Sequence, residues 1–321
     1  MKIRTIDLFA GIGGIRIGMQ QASKKLKIDF ENVFTSEIDK YCLKSYEGYF
    51  KDKEKIYGDI TQLKNNEINT IIPDHDILLA GFPCQPFSSA GLKGGFDDTR
   101  GTLFFDILRI LKTKKPQAFL LENVRHLKGH DKGKTLKIIL ESLRKMYYVP
   151  DPEVLNAKDF GLPQNRQRLF IVGFLDPFGG DFKFPLPKNL KTSVGDILEN
   201  ISTISDKYTI STRLWEGHKR RKKEHKIKGN GFGYSLFAYD SPHTNTLSAR
   251  YFKDGSEILI SRGNFKNPRK LTPRECANLQ GFPKNFPISV SDVQSYKQFG
   301  NSVAVPVIRE LGMKILEYII K

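Results

Sequence analysis

Short apolar runs at residues 3–9, 33–36, 77–80, 118–121 and 169–174 alternate with stretches whose apolar residues recur at helical spacing. The runs are rich in Ile, Leu, Val and Phe, and Gly, Pro or Asp bounds them. Between them, Leu103, Ile107, Ile110 and Leu111 share one helical face, as do Leu136, Ile139, Leu140 and Leu143. A strand that is apolar throughout is buried on both faces, and strands separated by helix-length segments can pair in parallel. The pattern predicts an α/β fold: a parallel sheet covered by helices, Rossmann-like in architecture.

The alternation breaks near Pro177. From there to about Lys270 the chain is rich in Gly, Ser, Thr, Asn and Tyr, with weak periodicity. This stretch predicts a second, smaller domain of irregular β-rich character. Residues 213–228 carry eight basic side chains against Glu216 and Glu224. Helical signals return at 272–280 and 303–320, where Val307, Ile308, Leu311, Ile315 and Ile319 form an apolar face. A chain of 321 residues suits one large domain or two modest ones.

Several classes are excluded. No apolar run approaches the roughly 18 residues that cross a bilayer, so no membrane span is expected. Asp7 interrupts any signal-peptide core. Cys42, Cys84 and Cys276 are odd in number and far apart, which predicts no disulfide framework and fits a reducing cytoplasm. The cysteines form no Cys-x-x-Cys pair, and only Leu127-Lys128-Gly129 separates His126 from His130, so no metal site is expected. Lys and Arg number 52 against 35 Asp and Glu, a net charge of +17. Such a surface suits a polyanionic partner, although charge alone leaves open a basic protein that never meets nucleic acid.

Three motifs carry chemistry. Asp7-Leu8-Phe9-Ala10-Gly11-Ile12-Gly13-Gly14 follows the first strand and opens a helix, where glycines admit a ligand to the backbone and free N–H groups await it. Ser36-Glu37-Ile38-Asp39 ends the second strand; an acid about 20 residues beyond the glycines is where nucleotide folds hold ribose hydroxyls. Gly58-Asp59-Ile60 offers a carboxylate to an adenine amine. A dinucleotide fingerprint would need glycine at Arg16, so adenosine without a pyrophosphate fits better. Glycines that merely allow strand–helix packing remain an alternative. Gly81-Phe82-Pro83-Cys84-Gln85-Pro86-Phe87-Ser88 follows the third strand and puts a thiol on the same rim, with the glycine-rich stretch to Gly101 as a candidate lid.

Six segments in order complete the pattern: Asp7 to Gly14, Pro83-Cys84-Gln85, Glu122-Asn123-Val124, Gln164-Asn165-Arg166-Gln167-Arg168, Arg274-Glu275-Cys276 and Gly300-Asn301-Ser302-Val303. With them the chain resembles, over nearly its whole length, the DNA cytosine-5 methyltransferases that use S-adenosylmethionine, and its recognition segment looks like that of the Dcm-type prokaryotic restriction–modification methylases. The resemblance implies a catalytic and cofactor-binding domain at 1–195, completed by 296–321, and a target-recognition domain at 196–295. It implies Cys84 as nucleophile, Glu122 as the acid at N3 and the exocyclic amine, Arg168 holding the cytosine through O2, and Arg166 bracing the catalytic loop or a phosphate. Cytosine C5 is a weak nucleophile, and thiolate addition at C6 activates it. For the cofactor, S-adenosyl-L-methionine leaving as S-adenosyl-L-homocysteine, it implies Phe9 on adenine, Gly11, Gly13 and Gly14 beneath it, Glu37 on ribose, and Asp59 at the amine. Ile38, Ile60, Phe82 and Pro83 would line that pocket, with Asn301 and Ser302 closing it. Ile38 stands where some members carry a bulky aromatic residue.

The partner implied is double-stranded DNA, with a cognate restriction endonuclease acting separately, and the protein is expected to be a cytoplasmic monomer. Gln85, Ser88, Asn230, Phe232, Tyr234, Thr246 and Arg250 are the candidate DNA contacts. Phe232 is a candidate wedge for the gap left by a flipped base, or else a packing residue. A short palindrome beginning CC and ending GG is the site this subgroup implies. A tRNA methylase on the same motifs, a DNA-binding protein without catalysis and a nicotinamide oxidoreductase are the competing readings.

Overall fold

The computed structural model describes residues 1–52, 56–83, 103–177, 180–231, 233–263 and 266–320. Six strands form one sheet in the order β2-β1-β3-β4-β6-β5: β1 (Lys2–Leu8), β2 (Asp29–Ser36), β3 (Ile77–Gly81), β4 (Ala118–Val124), β5 (Glu153–Asn156) and β6 (Gln167–Phe174). β1, β2, β3 and β4 pair in parallel, and β6 runs antiparallel to both β4 and β5. The sheet is therefore mostly, not wholly, parallel. Reversal of β6 brings its first residues beside the last residues of β4, with Val124 opposite Arg168.

The central strands appear where the sequence predicts them, and the edges do not. β2 begins at Asp29, four residues before its apolar run, and its first five residues are exposed or half-buried. β5 has no apolar run to reveal it. Both are edge strands; one flank faces no neighbour, so hydropathy marks them weakly.

Helices cover both faces. α1 (Gly14–Lys25) and α9 (Val305–Ile319) pack on one, burying Ile3, Met19, Ile77, Leu120, Ile308 and Ile315 in a common core. On the other, α3 (Ile68–Ile71), α4 (Leu103–Lys114) and α5 (Lys134–Arg144) enclose Ile6, Leu78, Ile107, Leu121 and Ile139. α2 (Lys40–Phe50) starts where the Asp39 side chain accepts from the amides of Tyr41 and Cys42, which satisfies two orphan donors of the first turn.

Within 196–295 regular β structure among the described residues is confined to β7 (Leu236–Phe237) and β8 (Leu259–Ile260), paired in parallel. The longest element there is α6 (Thr212–Ile227). α7 (Pro273–Leu279) follows, opened by a reciprocal cap between Thr272 and Glu275, and α8 (Asp292–Asn301) leads into α9. A third core joins this region to the sheet domain: Leu247, Tyr251, Ile258 and Leu271 pack with Ile12, Ile17, Phe299 and Val305. Among the described residues no helix is long and apolar enough to cross a membrane.

Candidate active site

The ends of β1, β3 and β4 open on one edge of the sheet, and the start of β6 joins them because that strand is reversed. Ligands of open α/β sheets bind at such an edge, where chain direction turns outward and backbone groups are left unpaired. The glycine turn, Glu122 and Arg168 lie along this edge, whereas Arg274, Glu275 and Cys276 lie in α7, with Glu275 paired to Arg269 and Cys276 in the third core.

The glycine turn is shaped by its neighbours. Gly13 caps α1 at φ 79°, and a Cβ there would lie 2.3 Å from the Phe50 ring, so only glycine fits. The Glu37 carboxylate accepts three backbone N–H groups, from Gly11 at 2.7 Å, Ile38 at 2.8 Å and Asp39 at 2.7 Å. Its Oε2 receives one of them, leaving a lone pair free to accept from a ligand hydroxyl. Phe9 is half-buried at φ 54°, and Ile38 is 71% exposed beside the carboxylate. The Glu37 amide donates to the Tyr57 carbonyl at 3.0 Å, which aligns residues 57–59 beside the end of β2. Asp59 is exposed and accepts from the Thr61 amide and hydroxyl, bonds that hold its carboxyl below the usual range. Ile60 is 2% exposed and belongs to the core under α4.

Arg16, the residue that breaks the dinucleotide fingerprint, is buried and has a definite task. Its guanidinium forks onto Asp52, donates to the Tyr46 hydroxyl at 3.0 Å and lies 3.9 Å from the centre of the Phe50 ring. It thereby ties α1 to the end of α2 directly under the turn. Beside it Asp7 is 1% exposed, with no hydrogen-bond partner on either carboxylate oxygen. Burial pushes its carboxyl up to about 7, against the pull of Arg16 and with the help of Glu37.

On β4, Glu122 is 8% exposed and pairs with Arg168, whose Nε lies 3.0 Å from Oε1. Burial raises the Glu122 carboxyl despite both neighbouring arginines, because desolvation disfavours the charged form. Asn123 turns the other way and donates to the Phe82 carbonyl at 2.9 Å, fixing the end of β3 against β4. Phe82 is buried against Phe104, and Pro83 is exposed. Cys84, Gln85, Ser88 and Phe232 lie outside the described residues.

Arg166 is held by backbone carbonyls of distant segments. It is 1% exposed and donates to the carbonyls of Leu247 at 2.8 Å, Gly300 at 2.9 Å and Ser302. Gln164, two residues earlier, accepts from the Leu247 amide at 3.0 Å and donates to the Leu279 carbonyl at 3.0 Å. Asn301 is exposed and Ser302 half-buried, with the Ser302 hydroxyl near the start of α1.

In the insert formed by residues 196–295, Asn230 and Arg250 are exposed. The Thr246 hydroxyl donates to the Asn165 carbonyl at 2.6 Å. The Tyr234 ring packs edge-on against Trp215 at 4.6 Å, with Lys222 Nζ 4.3 Å from its centre. Tyr234 therefore braces α6 from a half-buried position.

Asp7, Asn123 and Gln164 stand inside the quoted motifs, but none of them is assigned a role of its own from sequence. Asp7 was detectable, since it is a charged residue on the same strand parity as buried Ile3 and Thr5. Asn123 and Gln164 were not, because their partners lie 41 or more residues away.

The chain matches the family described as C-5 cytosine-specific DNA methylase over residues 3–317. It is 60% identical over 309 residues to the Type II methyltransferase M.NlaX of Neisseria lactamica, covering 96% of this chain and 95% of that one. To the Type II methyltransferase M1.ScrFI of Lactococcus lactis subsp. cremoris it is 57% identical over 324 residues, covering 100% of this chain and 79% of the relative. The S. pombe Dnmt2 methyltransferase has the same fold, with a TM-score of 0.77 at 20% identity and coverage of 99% of each chain.

Proposed function

The chain belongs to the C-5 cytosine-specific DNA methylases, and from that premise we propose that it methylates C5 of a cytosine flipped out of a short duplex site, with S-adenosylmethionine as donor. The observation that carries this reading is the buried Glu122–Arg168 pair at the same sheet edge as the glycine turn. A carboxyl that burial favours in its neutral form can donate to the ring nitrogen N3, while the adjacent guanidinium accepts the developing charge near O2. Cys84 is the nucleophile in this reading. Its thiolate would add at C6 and push electrons to C5, which would take the methyl group as the methyl–sulfonium bond breaks and S-adenosylhomocysteine leaves. Loss of the C5 proton to a base then expels the thiolate and restores the ring.

The residues around the glycine turn suit an adenosyl ligand. Glu37 is fixed by three amides and keeps an accepting lone pair for a ribose hydroxyl. In this reading Asp59 meets the adenine amine, Ile38 offers apolar surface, and Phe9, Gly11, Gly13, Gly14, Phe82, Pro83, Asn301 and Ser302 are the remaining cofactor contacts. The cofactor, when bound, supplies an electrophilic methyl carried on sulfonium. Residues 196–295 serve as the recognition domain on a catalytic domain of 1–195 completed by 296–321. Asn230, Thr246 and Arg250 are its DNA-facing candidates, and the CC…GG palindrome is the site proposed. The relatives named Type II methyltransferases support a place in a restriction–modification system, as the protective half beside a separate endonuclease.

The test is transfer of labelled methyl from S-adenosylmethionine to unmethylated plasmid and to bulk tRNA, with bisulfite mapping of the product. Labelled plasmid, unlabelled tRNA and a stable adduct on 5-fluorocytosine DNA that vanishes in Cys84→Ser are the outcomes expected. Label in tRNA alone, or undiminished transfer by Cys84→Ser, refutes the reading.

A further inference from the structure

Arg166 is among the largest fully buried side chains of the molecule. Burial of a guanidinium is unfavourable unless its donors are met, and here no carboxylate meets them. Three of its N–H directions end on backbone carbonyls instead. Nη1 donates to Leu247 at 2.8 Å, and Nη2 donates to Gly300 at 2.9 Å and to Ser302. Burial and the charge of Arg168 hold its pKa down. Leu247 lies in the insert, 81 residues away in sequence, and Gly300 and Ser302 lie 134 and 136 residues away, in the last turn of α8 and at its C-terminal cap.

Neighbouring contacts extend each side of this junction to a place where a ligand is proposed. Toward the insert, Thr246 donates to Asn165 at 2.6 Å, and the Asn165 amide donates to Thr244 at 2.9 Å. Toward the glycine turn, a Cβ on Gly14 would lie 2.7 Å from the Ser302 hydroxyl and 2.9 Å from the Val303 side chain, so both side chains pack directly on the Gly14 backbone. The two sides also touch each other: a Cβ on Gly300 would stand 2.3 Å from the Ser248 carbonyl carbon, which leaves no room for a side chain. Arg168, the partner of Glu122, is two residues along the same chain.

We propose that Arg166 is a positioning residue that sets the insert and the cofactor-closing turn in one register, so that occupancy of either ligand site favours the other. The proposal rests on the assignment of 246–250 to DNA and of 301–302 to the cofactor. A single planar fork bridges two segments that have no covalent reason to be adjacent, and whatever orders one segment orders the carbonyls of the other. Lysine keeps the charge but presents one compact ammonium, which cannot reproduce a fork held on both Nη atoms.

The experiment is a binding cycle on the full chain, using S-adenosylhomocysteine and a duplex that the wild-type enzyme methylates. In wild type, S-adenosylhomocysteine is expected to tighten DNA binding by about 5–150-fold, the ordinary range of such coupling. In Arg166→Lys that factor falls toward one, and KM for DNA and for S-adenosylmethionine rises. A purely structural role would weaken folding and each separate affinity while leaving the factor intact, and that result, with a folded variant, overturns the proposal. Gln164→Met removes the parallel tie to the Leu247 amide without touching the charge, and must also lower the factor. If Arg166→Lys does not fold, an unchanged factor in Gln164→Met overturns the proposal. Wild type that binds and methylates DNA without any coupling overturns it too. Wild type that neither binds S-adenosylhomocysteine nor methylates DNA refutes the underlying functional reading instead.

Discussion

The C-terminal edge of the sheet and the helix α6 carry the same kinds of charge under opposite conditions. At the edge, Asp7, Glu122 and Arg166 are buried, and burial shifts the ionisation of each. Along α6, Lys219 to Lys223 run unbroken in an element whose buried residue is His218. The two ion pairs within the helix, Glu216 with Lys219 and Arg220 with Glu224, are exposed, and Arg221 reaches Asp254 at 3.3 Å. A charge in a dry site interacts strongly and with few partners, whereas a solvated one is screened and nearly interchangeable with its neighbours. In the proposed function the first region carries the chemistry on a base and the second attracts the polyanion.

If that contrast holds, substitution at the edge has consequences orders of magnitude larger than substitution on the helix. The largest is expected at Glu122. Glu122→Gln lowers methyl transfer by about 10²–10⁴-fold, the usual worth of a positioned acid or base, with thermal stability little changed. Because the Glu122 carboxyl is raised by burial, the neutral form persists to higher pH than in water and is lost as pH rises through the raised value. Wild-type turnover should carry an alkaline limb from this group that Glu122→Gln lacks. A pH–rate profile with the same limb in both proteins would assign the proton elsewhere.

Next comes Asp7, an effect on stability. Its folded value of about 7 lies above the ordinary aspartate value of 3.8, so the folded state holds the proton more tightly than the unfolded chain. The favourable contribution is full below about 4 and is lost as pH rises to about 7. Asp7→Asn cannot ionise. Urea unfolding should therefore show the variant gaining on wild type by roughly 1–4 kcal/mol between pH 4 and pH 8. An equal difference at both pH values would mean that Asp7 finds a partner on ionising.

The smallest effects belong to α6. Lys223→Ala and Lys226→Ala, at exposed positions, should each reduce the slope of log affinity against log salt by about 0.9. Affinity for DNA should fall only a few-fold near physiological salt, with KM for S-adenosylmethionine unaltered. A hundred-fold loss from either would place that lysine at a specific contact and blur the contrast between the two regions.

Legibility in the sequence follows the same division. Glu122, Glu37 and the glycine turn stand in local strand–turn–helix units, where a few neighbouring residues decide geometry. The central strands were legible because burial on both faces makes them apolar throughout, while β2 and β5 at the edges were blurred or invisible. In the insert, composition pointed to irregular structure and to basic charge, but the packing of Tyr234 on Trp215 and Lys222 was not readable. Arg16 was visible as a missing glycine, and its fork onto Asp52, 36 residues on, was not.

Residue order and periodicity fixed the α/β class, the edge on which the motifs gather and the acid–glycine pattern of the first two strands, because these depend on hydrophobic period and local turn chemistry. Folding decided the rest. Two arginines two residues apart look alike in the sequence, yet Arg168 faces a carboxylate and Arg166 faces three carbonyls from distant segments. Long-range packing sets which donor is buried beside which acceptor, and desolvation then determines what each charged group can do.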